Sequence, residues 1–182
     1  MRSDDRVRKR VHISGVVQGV GFRPFLWQQA TRFGLTGWVN NDTAGVEMEV
    51  QGTSAQLQEF LHTLEVQVPP LAVIRSIDSN EIPVKSESGF SILASSSNRN
   101  ESTPIAADIT VCSDCLREIN DPNDRRYRYP FTNCTNCGPR FTIVEDIPYD
   151  RSRTTMKSFP MCAACRQEYN DPDNRRFHAQ PN

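Results

Sequence analysis

Nine consecutive residues, Gly15-Val16-Val17-Gln18-Gly19-Val20-Gly21-Phe22-Arg23, hold the first concentration of chemistry in the chain. Behind them Phe22, Phe25, Leu26, Ala30 and Phe33 recur at helical spacing, so a glycine-bearing loop runs into a helix N-terminus. Backbone N–H groups there lack intrahelical partners and meet the positive end of the helix dipole, which together make an anion site. Arg23 in the first turn adds a fixed charge. A guanidinium contacts a phosphoryl group through two parallel hydrogen bonds, a fit that Lys does not offer. Gly19, Val20, Gly21, Phe22 and Arg23 are therefore the candidate phosphate-binding residues, with a tight β-α turn carrying an exposed Arg as the plainer alternative.

The second concentration is of thiols. All six Cys lie beyond residue 111. Cys112-x2-Cys115, eighteen residues, then Cys134-x2-Cys137 has the spacing of a four-thiolate structural zinc site. Four thiolates close the ion to substrate, and metal binding then stabilises a segment too poor in apolar residues to build a large core. A redox role for these pairs would need a βαβ context that is missing around them. Displacing the sequence by fifty residues aligns Cys112, Cys115, Glu118, Asn120, Asp121, Pro122, Arg125, Arg126 and Tyr127 with Cys162, Cys165, Glu168, Asn170, Asp171, Pro172, Arg175, Arg176 and Phe177. Two copies of one finger are expected. By that offset the counterparts of Cys134 and Cys137 fall beyond Asn182, so Cys162 and Cys165 are expected to form an incomplete site in a truncated second finger. His178 is a candidate substitute ligand, although it aligns with Arg128.

The elements that must position these groups follow from apolar periodicity. Val7, Lys9, Val11 and Ile13 alternate with Arg8, Arg10 and His12 as in a half-buried strand, which Gly15 ends. Helix one follows, with Pro24 tolerated in its first turn and Gly34 as terminator. Leu35–Val39 and Val46–Gln51 read as strands joined by the turn-forming run Asn40 to Gly45. Thr53 with Gln56 resembles a capping box that opens a helix whose buried face is Leu57, Phe60, Leu61 and Leu64, and Pro69-Pro70 stops it. Val73, Arg75 and Ile77, then Phe90 and Ile92, offer two more strands. The order is β-α-β-β-α-β plus a short closing strand, an α+β, ferredoxin-like split βαβ sandwich followed by a small zinc-finger region. We expect domains at residues 1–94 and 105–182, with Ser95–Pro104 as an exposed polar linker.

Val17-Gln18-Gly19-Val20-Gly21-Phe22-Arg23, then Gly34-Leu35, Gly37-Trp38-Val39 and Asn41, with Gly45 and Val46 in the hairpin, resembles the acylphosphatase signature across roughly residues 7–94. The resemblance implies that the loop amides and Arg23 bind the phosphoryl group of an acyl phosphate while Asn41 orients the attacking water. The chemistry agrees, because an acyl phosphate has a good leaving group and needs neither a nucleophilic side chain nor a metal. Asn41 as a mere turn residue is the alternative. Gln18 stays outside the catalytic set, and His12 reads as a surface or packed residue.

Asp121-Pro122 to Tyr129-Pro130-Phe131, Asn133-Cys134-Thr135 to Phe141-Thr142, Tyr149-Asp150-Arg151, Phe159-Pro160 and Arg175 to Pro181 follow in that order. Together they resemble the fingers of the HypF family, carbamoyltransferases of nickel-iron hydrogenase maturation. The family implies hydrolysis of carbamoyl phosphate to carbamate and phosphate, with structural zinc and no other cofactor for that step. Carbamate then passes to a nucleotide-binding, adenylating domain and onto a Cys of a HypE-type partner. Neither later domain is expected within these 182 residues. A phosphate-binding and finger assembly module that turns over little by itself is the alternative.

Composition narrows the field further. Lys+Arg number 21 against 22 Asp+Glu, and the two parts divide as 9 against 10 and 11 against 11, so no basic footprint for nucleic acid exists despite Arg125, Arg126, Arg128 and Arg140. No stretch approaches the roughly 18 apolar residues of a membrane span. The charged start MRSDDRVRKR has no apolar region behind it, so a cytoplasmic location is expected.

Overall fold

The structure, a computed structural model, describes residues 6–96 and 104–182. In the first part β1 (Arg6–Val16), α1 (Phe22–Arg32), β2 (Thr36–Asn41), β3 (Val46–Thr53), α2 (Ser54–Val66), β4 (Val73–Ile82) and β5 (Phe90–Ile92) follow in that order. They build one sheet in the order β4-β1-β3-β2-β5. All pairings are antiparallel except β2 with β5, where Gly37, Trp38 and Val39 run parallel to Phe90, Ser91 and Ile92. β3 lies between β1 and β2, which is the split βαβ arrangement the sequence predicts.

Val11, Ile13, Val39, Met48 and Val50 point from the sheet into the core, where Leu26 and Ala30 of α1 and Leu57, Phe60 and Leu64 of α2 cover them. Each such fully buried large side chain contributes about 1.5–3 kcal/mol. The capping box at Thr53 forms as expected, its hydroxyl accepting from the Gln56 N–H while the Gln56 side chain accepts from the Thr53 N–H.

One expectation needs correction here. β2 runs to Asn41, two residues beyond Val39, because Asn40 and Asn41 remain in ladder register with Glu47 and Val46. The turn then needs only Asp42 to Gly45, closed by the Asp42 carboxylate accepting from the N–H groups of Ala44 (2.9 Å) and Gly45 (2.7 Å). The start of the expected linker is hydrogen-bonded to the end of β2. The Ser96 N–H donates to the Asn41 carbonyl at 2.9 Å and the Ser96 hydroxyl accepts from the Asn40 side chain, while residues 97–103 lie outside the described residues.

The sheet face opposite the helices is covered by the segment between β4 and β5, and a charged residue of the alternating first strand is thereby buried. Arg8 is 1% exposed and donates to Glu49 at 2.6 Å and 3.1 Å. Arg10 and Lys85 also donate to Glu49, and Glu87 pairs with Arg8. Burial pulls the Glu49 carboxyl upward, but the hydrogen bonds from Arg10, Arg8 and Lys85 outweigh it and bring it down to about 2. A depressed carboxyl contributes stability that is present above its unfolded value and is lost as pH falls toward the folded one. Glu49→Gln is therefore expected to lower stability by about 3 kcal/mol at pH 7, and the gap to wild type should narrow as pH drops from about 4.5 toward 2. Urea midpoints at several pH values check this; a gap that is constant with pH would refute the ion-pair account.

In the second part, α3 (Ser113–Asn120) and α4 (Ala163–Asn170) each begin after a Cys N-cap, Cys112 and Cys162. The fifty-residue repeat is structural. Arg128 and His178 both have left-handed backbones (φ 59° and 54°), and their N–H groups donate to the carbonyls of Ile119 and Tyr169. The copies exchange charges reciprocally: Arg125 and Arg126 pair with Glu168, and Arg175 and Arg176 pair with Glu118.

Candidate functional site

The loop between β1 and α1 bends at Gly19 and Gly21, whose φ angles of 73° and 74° suit glycine. A second constraint acts on the same positions. A Cβ at Gly19 would lie 2.8 Å from Pro139 and one at Gly21 would lie 2.9 Å from Thr135, so the finger region packs directly against the loop. Gly21 is the N-cap of α1, and no side chain caps the helix there, which leaves the N-terminal pole to whatever occupies the space before it.

Arg23 and Asn41 converge. Both line a small cavity of about 30 Å³ together with Gly19, Gly21 and Phe22, and the far wall belongs to the finger region through Thr135, Tyr149, His178 and Gln180. Arg23 is 7% exposed; its guanidinium donates to the Ser95 hydroxyl at 3.2 Å and to the Asp150 carboxylate at 3.1 Å. Asn41 is 1% exposed, and both its amide nitrogen and its amide oxygen lack hydrogen-bond partners among the described residues. A buried amide is costly to leave unpaired. Asn41 is the last residue of β2, which answers the alternative that it serves only as a turn residue.

Gln18, kept out of the catalytic set, has a structural task. Its side-chain amide donates to the carbonyls of Asp42 (2.6 Å) and Gly45 (2.9 Å), and its oxygen accepts from the Tyr149 N–H at 3.1 Å. One side chain thus ties the loop to the β2–β3 turn and to the finger region. His12 is half-buried, with its ring 3.7 Å from Asp42.

His178 is not brought together with Cys162 and Cys165. It lines the cavity beside Arg23, its ring stacked on Tyr169 at 5.1 Å. Burial, then the charge of Arg23, pushes it down to about 4 against the opposing pull of Asp150, so it is neutral at ordinary pH. Its substitution for a missing zinc ligand is thereby corrected: the same left-handed turn that holds Arg128 in the first copy directs position 178 toward the cavity.

The four Cys of the first finger meet the requirement for a tetrahedral ion. The Sγ atoms of Cys112 and Cys134, Cys134 and Cys137, Cys137 and Cys115, and Cys137 and Cys112 lie 3.6, 3.7, 3.6 and 3.8 Å apart. Thiolates about 2.3 Å from a tetrahedral ion stand about 3.8 Å from one another, so the donor set fits a structural zinc ion closely. Arg175 of the second copy donates to the Cys115 sulfur at 3.0 Å, as expected for a thiolate. Cys134 also lines the cavity, which makes the metal-binding knuckle part of its wall. Among the described residues Cys162 and Cys165 belong to no group of three or more possible ligands, and Arg125 lies against their sulfurs at 3.7 and 3.2 Å.

Asp150, Tyr149, Thr135 and Ser95 are site residues that the sequence reasoning did not single out. Thr135, Tyr149 and Asp150 carry a faint signal as members of short motifs, but nothing local to them indicates a neighbour more than a hundred positions away.

Comparisons with known proteins bear on both parts of the chain. The acylphosphatase family profile matches residues 9–92, and the HypF finger profile matches residues 111–144 and 161–182. The carbamoyltransferase HypF2 of Cupriavidus necator is 50% identical over 161 residues, 87% of this chain and 20% of the relative. An acylphosphatase of Caldivirga maquilingensis is 42% identical over 89 residues, 47% of this chain and 93% of the relative. Among solved structures, a full-length HypF in its phosphate- and nucleotide-bound form superposes with a TM-score of 0.91 at 49% identity, covering 100% of this chain and 24% of that one. The chain thus spans about a fifth of the length of the carbamoyltransferases it matches.

Proposed function

Since the chain belongs to the HypF-type carbamoyltransferases, corresponding to their N-terminal part with its acylphosphatase domain and fingers, we propose that the Arg23–Asn41 cavity binds and hydrolyses acyl phosphates. The substrate assigned to it is carbamoyl phosphate, and the reaction is the first step of carbamoyl transfer in hydrogenase maturation. The observation that carries this is the buried Asn41 amide, without a partner among the described residues, in a cavity that also holds a guanidinium and a helix N-terminus with no side-chain cap among those residues.

In this reading the loop N–H groups from Gly19 to Phe22 and the Arg23 guanidinium bind the phosphoryl oxygens, and Asn41 accepts from and donates to the attacking water. Water adds to phosphorus as the bond to the acyl oxygen breaks; carbamate leaves with the electron pair and the water proton passes to solvent. Charge develops on the equatorial oxygens, which the loop N–H groups and Arg23 would stabilise. The chain's own groups suffice for this step. Cys112, Cys115, Cys134 and Cys137 would hold a structural zinc ion, which would take no part in the reaction and would fix the finger whose Cys134 lines the cavity.

The reading extends to a cytoplasmic setting and, in the longer proteins, delivery of carbamate toward a HypE-type maturation protein. Nucleic acid is not assigned as a partner, given 11 basic and 11 acidic residues in the finger region. Cys162 and Cys165 hold in the second copy the places of Cys112 and Cys115 and are assigned as two ligands of a second finger.

Phosphate release from carbamoyl phosphate and from acetyl phosphate tests the proposal, with Asn41→Ala beside wild type. The expected result is release by wild type and a loss of about 100-fold in kcat for Asn41→Ala with phosphate affinity nearly kept, because only the water is misplaced. A wild-type chain that binds phosphate without releasing any from either substrate would instead make it a binding and assembly module.

A further inference from the structure

We propose that Asp150 of the finger region is a positioning residue for Arg23, so that the finger region is a working part of the acyl phosphate site and not a spacer beside it. The inference rests on the acyl phosphate reading of the cavity and adds a residue that the reading does not require.

A guanidinium carries five N–H donors. Among the described residues Arg23 spends one on the Ser95 hydroxyl and one on the Asp150 carboxylate, so up to three remain for an anion in the cavity that Arg23 lines. The two anchors come from different parts of the chain, so the plane of the guanidinium is set only when both are in place. An arginine side chain left unanchored samples many rotamers, and ordering it on substrate would cost entropy that an anchored one does not lose.

Asp150 is itself held on both flanks. The Tyr149 N–H donates to the Gln18 side chain in the phosphate loop, and the Tyr149 hydroxyl accepts from the Arg140 N–H at 3.3 Å. On the other side the Arg151 N–H donates to the Gln180 side chain at 2.7 Å, and the Asp150 carbonyl accepts from the Arg153 N–H at 2.8 Å. The carboxylate is therefore registered to the very loop that Arg23 serves. Its side chain is 24% exposed and that of Arg23 8%, so the pair is partly withdrawn from water and its geometry is well determined.

Arg23, Ser95 and Asp150 also border a wider open cleft of about 380 Å³, with Ile92, Leu93 and His178. Arg23 lines both spaces, whereas Asp150 borders only the cleft and the loop glycines and Asn41 border only the small cavity, so in this reading the carboxylate stays out of the phosphoryl position. A carboxylate in front would repel the substrate and would have to be displaced.

The test is a double-mutant cycle on the whole chain, with Asp150→Ala, Arg23→Lys and the double variant, and Asp150→Glu as the conservative change. Phosphate release and the affinity for inorganic phosphate by calorimetry are both read, with zinc content and melting temperature as controls. Asp150→Ala is expected to lower kcat/KM for carbamoyl phosphate about 10-fold and weaken phosphate binding severalfold, with zinc retained. Asp150→Glu should recover part of the loss, and in the Arg23→Lys background Asp150→Ala should change kcat/KM by less than about twofold. Equal losses in both backgrounds, or tighter phosphate binding in Asp150→Ala, would overturn the inference, the latter by showing that the carboxylate competes with the anion. If wild type binds phosphate without turnover, the same cycle read on affinity decides it. A wild type that neither hydrolyses nor binds phosphate overturns the site itself, whereas an active wild type with an unaffected Asp150→Ala overturns only the role given to Asp150.

Discussion

Arg23→Ala is expected to lower kcat/KM for carbamoyl phosphate at least about 1000-fold, equivalent to about 4 kcal/mol of transition-state stabilisation. The magnitude follows from what the substitution removes. A single preorganised donor aimed at developing charge is worth about 100- to 1000-fold in a water-excluded site, and arginines placed on transferring phosphoryl groups reach higher values. Arg23 offers several such donors, is 7% exposed and is already oriented by Ser95 and Asp150. Arg23→Lys keeps the charge but not the fork, and should fall between wild type and Ala. The fold should survive, since Arg23 contributes little to the core: the residues that fill it are Leu26, Phe60 and their neighbours. Steady-state phosphate release with far-ultraviolet circular dichroism checks both statements. Activity of Arg23→Ala within tenfold of wild type would mean that the loop amides alone carry the anion, and the role assigned to the guanidinium would be wrong.

The second large effect is expected from the metal. Removing zinc with a strong chelator, or replacing Cys137 by Ser, should unfold the first finger while the sheet and its two helices remain. Structural zinc contributes about 10–16 kcal/mol to small finger peptides, and among the described residues the partly buried hydrophobics packed against the cluster of Cys115, Cys134 and Cys137 are Val111 and Cys112, far too little to replace that. The first part has a core of its own, so the two losses separate. Hydrolysis should fall with the finger even though no zinc ligand is assigned a chemical step, because Thr135 packs on Gly21 and the wall made by Tyr149, His178 and Gln180 depends on the same region. Amide hydrogen exchange would show α3 losing protection while α2 and the central strands keep theirs. Retention of full activity by a chain whose finger has lost protection would show that the cavity wall is dispensable.

Much of this protein was legible as sequence, for identifiable reasons. The alternation of Val11 and Ile13, the helical face of Leu57, Phe60 and Leu64, and the capping box at Thr53 are short-range patterns, each confined to one element, and the structure repeats them nearly residue for residue. The paired thiols and the fifty-residue repeat are equally direct, because ligand spacing reflects the geometry of the turn that carries it. Arg8 was less transparent. Its place in an alternating strand suggests the solvent face, and its burial depends on Glu49 across the ladder and on Glu87 in a segment that returns over the sheet.

By itself, then, the sequence determined the strands and helices, the loop with its glycines and Arg23, the zinc ligands of the first finger and the existence of a second copy. Local periodicity, backbone freedom and ligand spacing are properties of neighbours along the chain. Only the tertiary structure decided that Arg23 and Asn41 face one cavity, that the finger region closes it, and that Asp150, 127 positions from Arg23, contacts the guanidinium. No periodicity encodes such a meeting. It arises because the finger region packs on the loop between β1 and α1 where Gly19 and Gly21 leave room, and Gln18 fastens the two together.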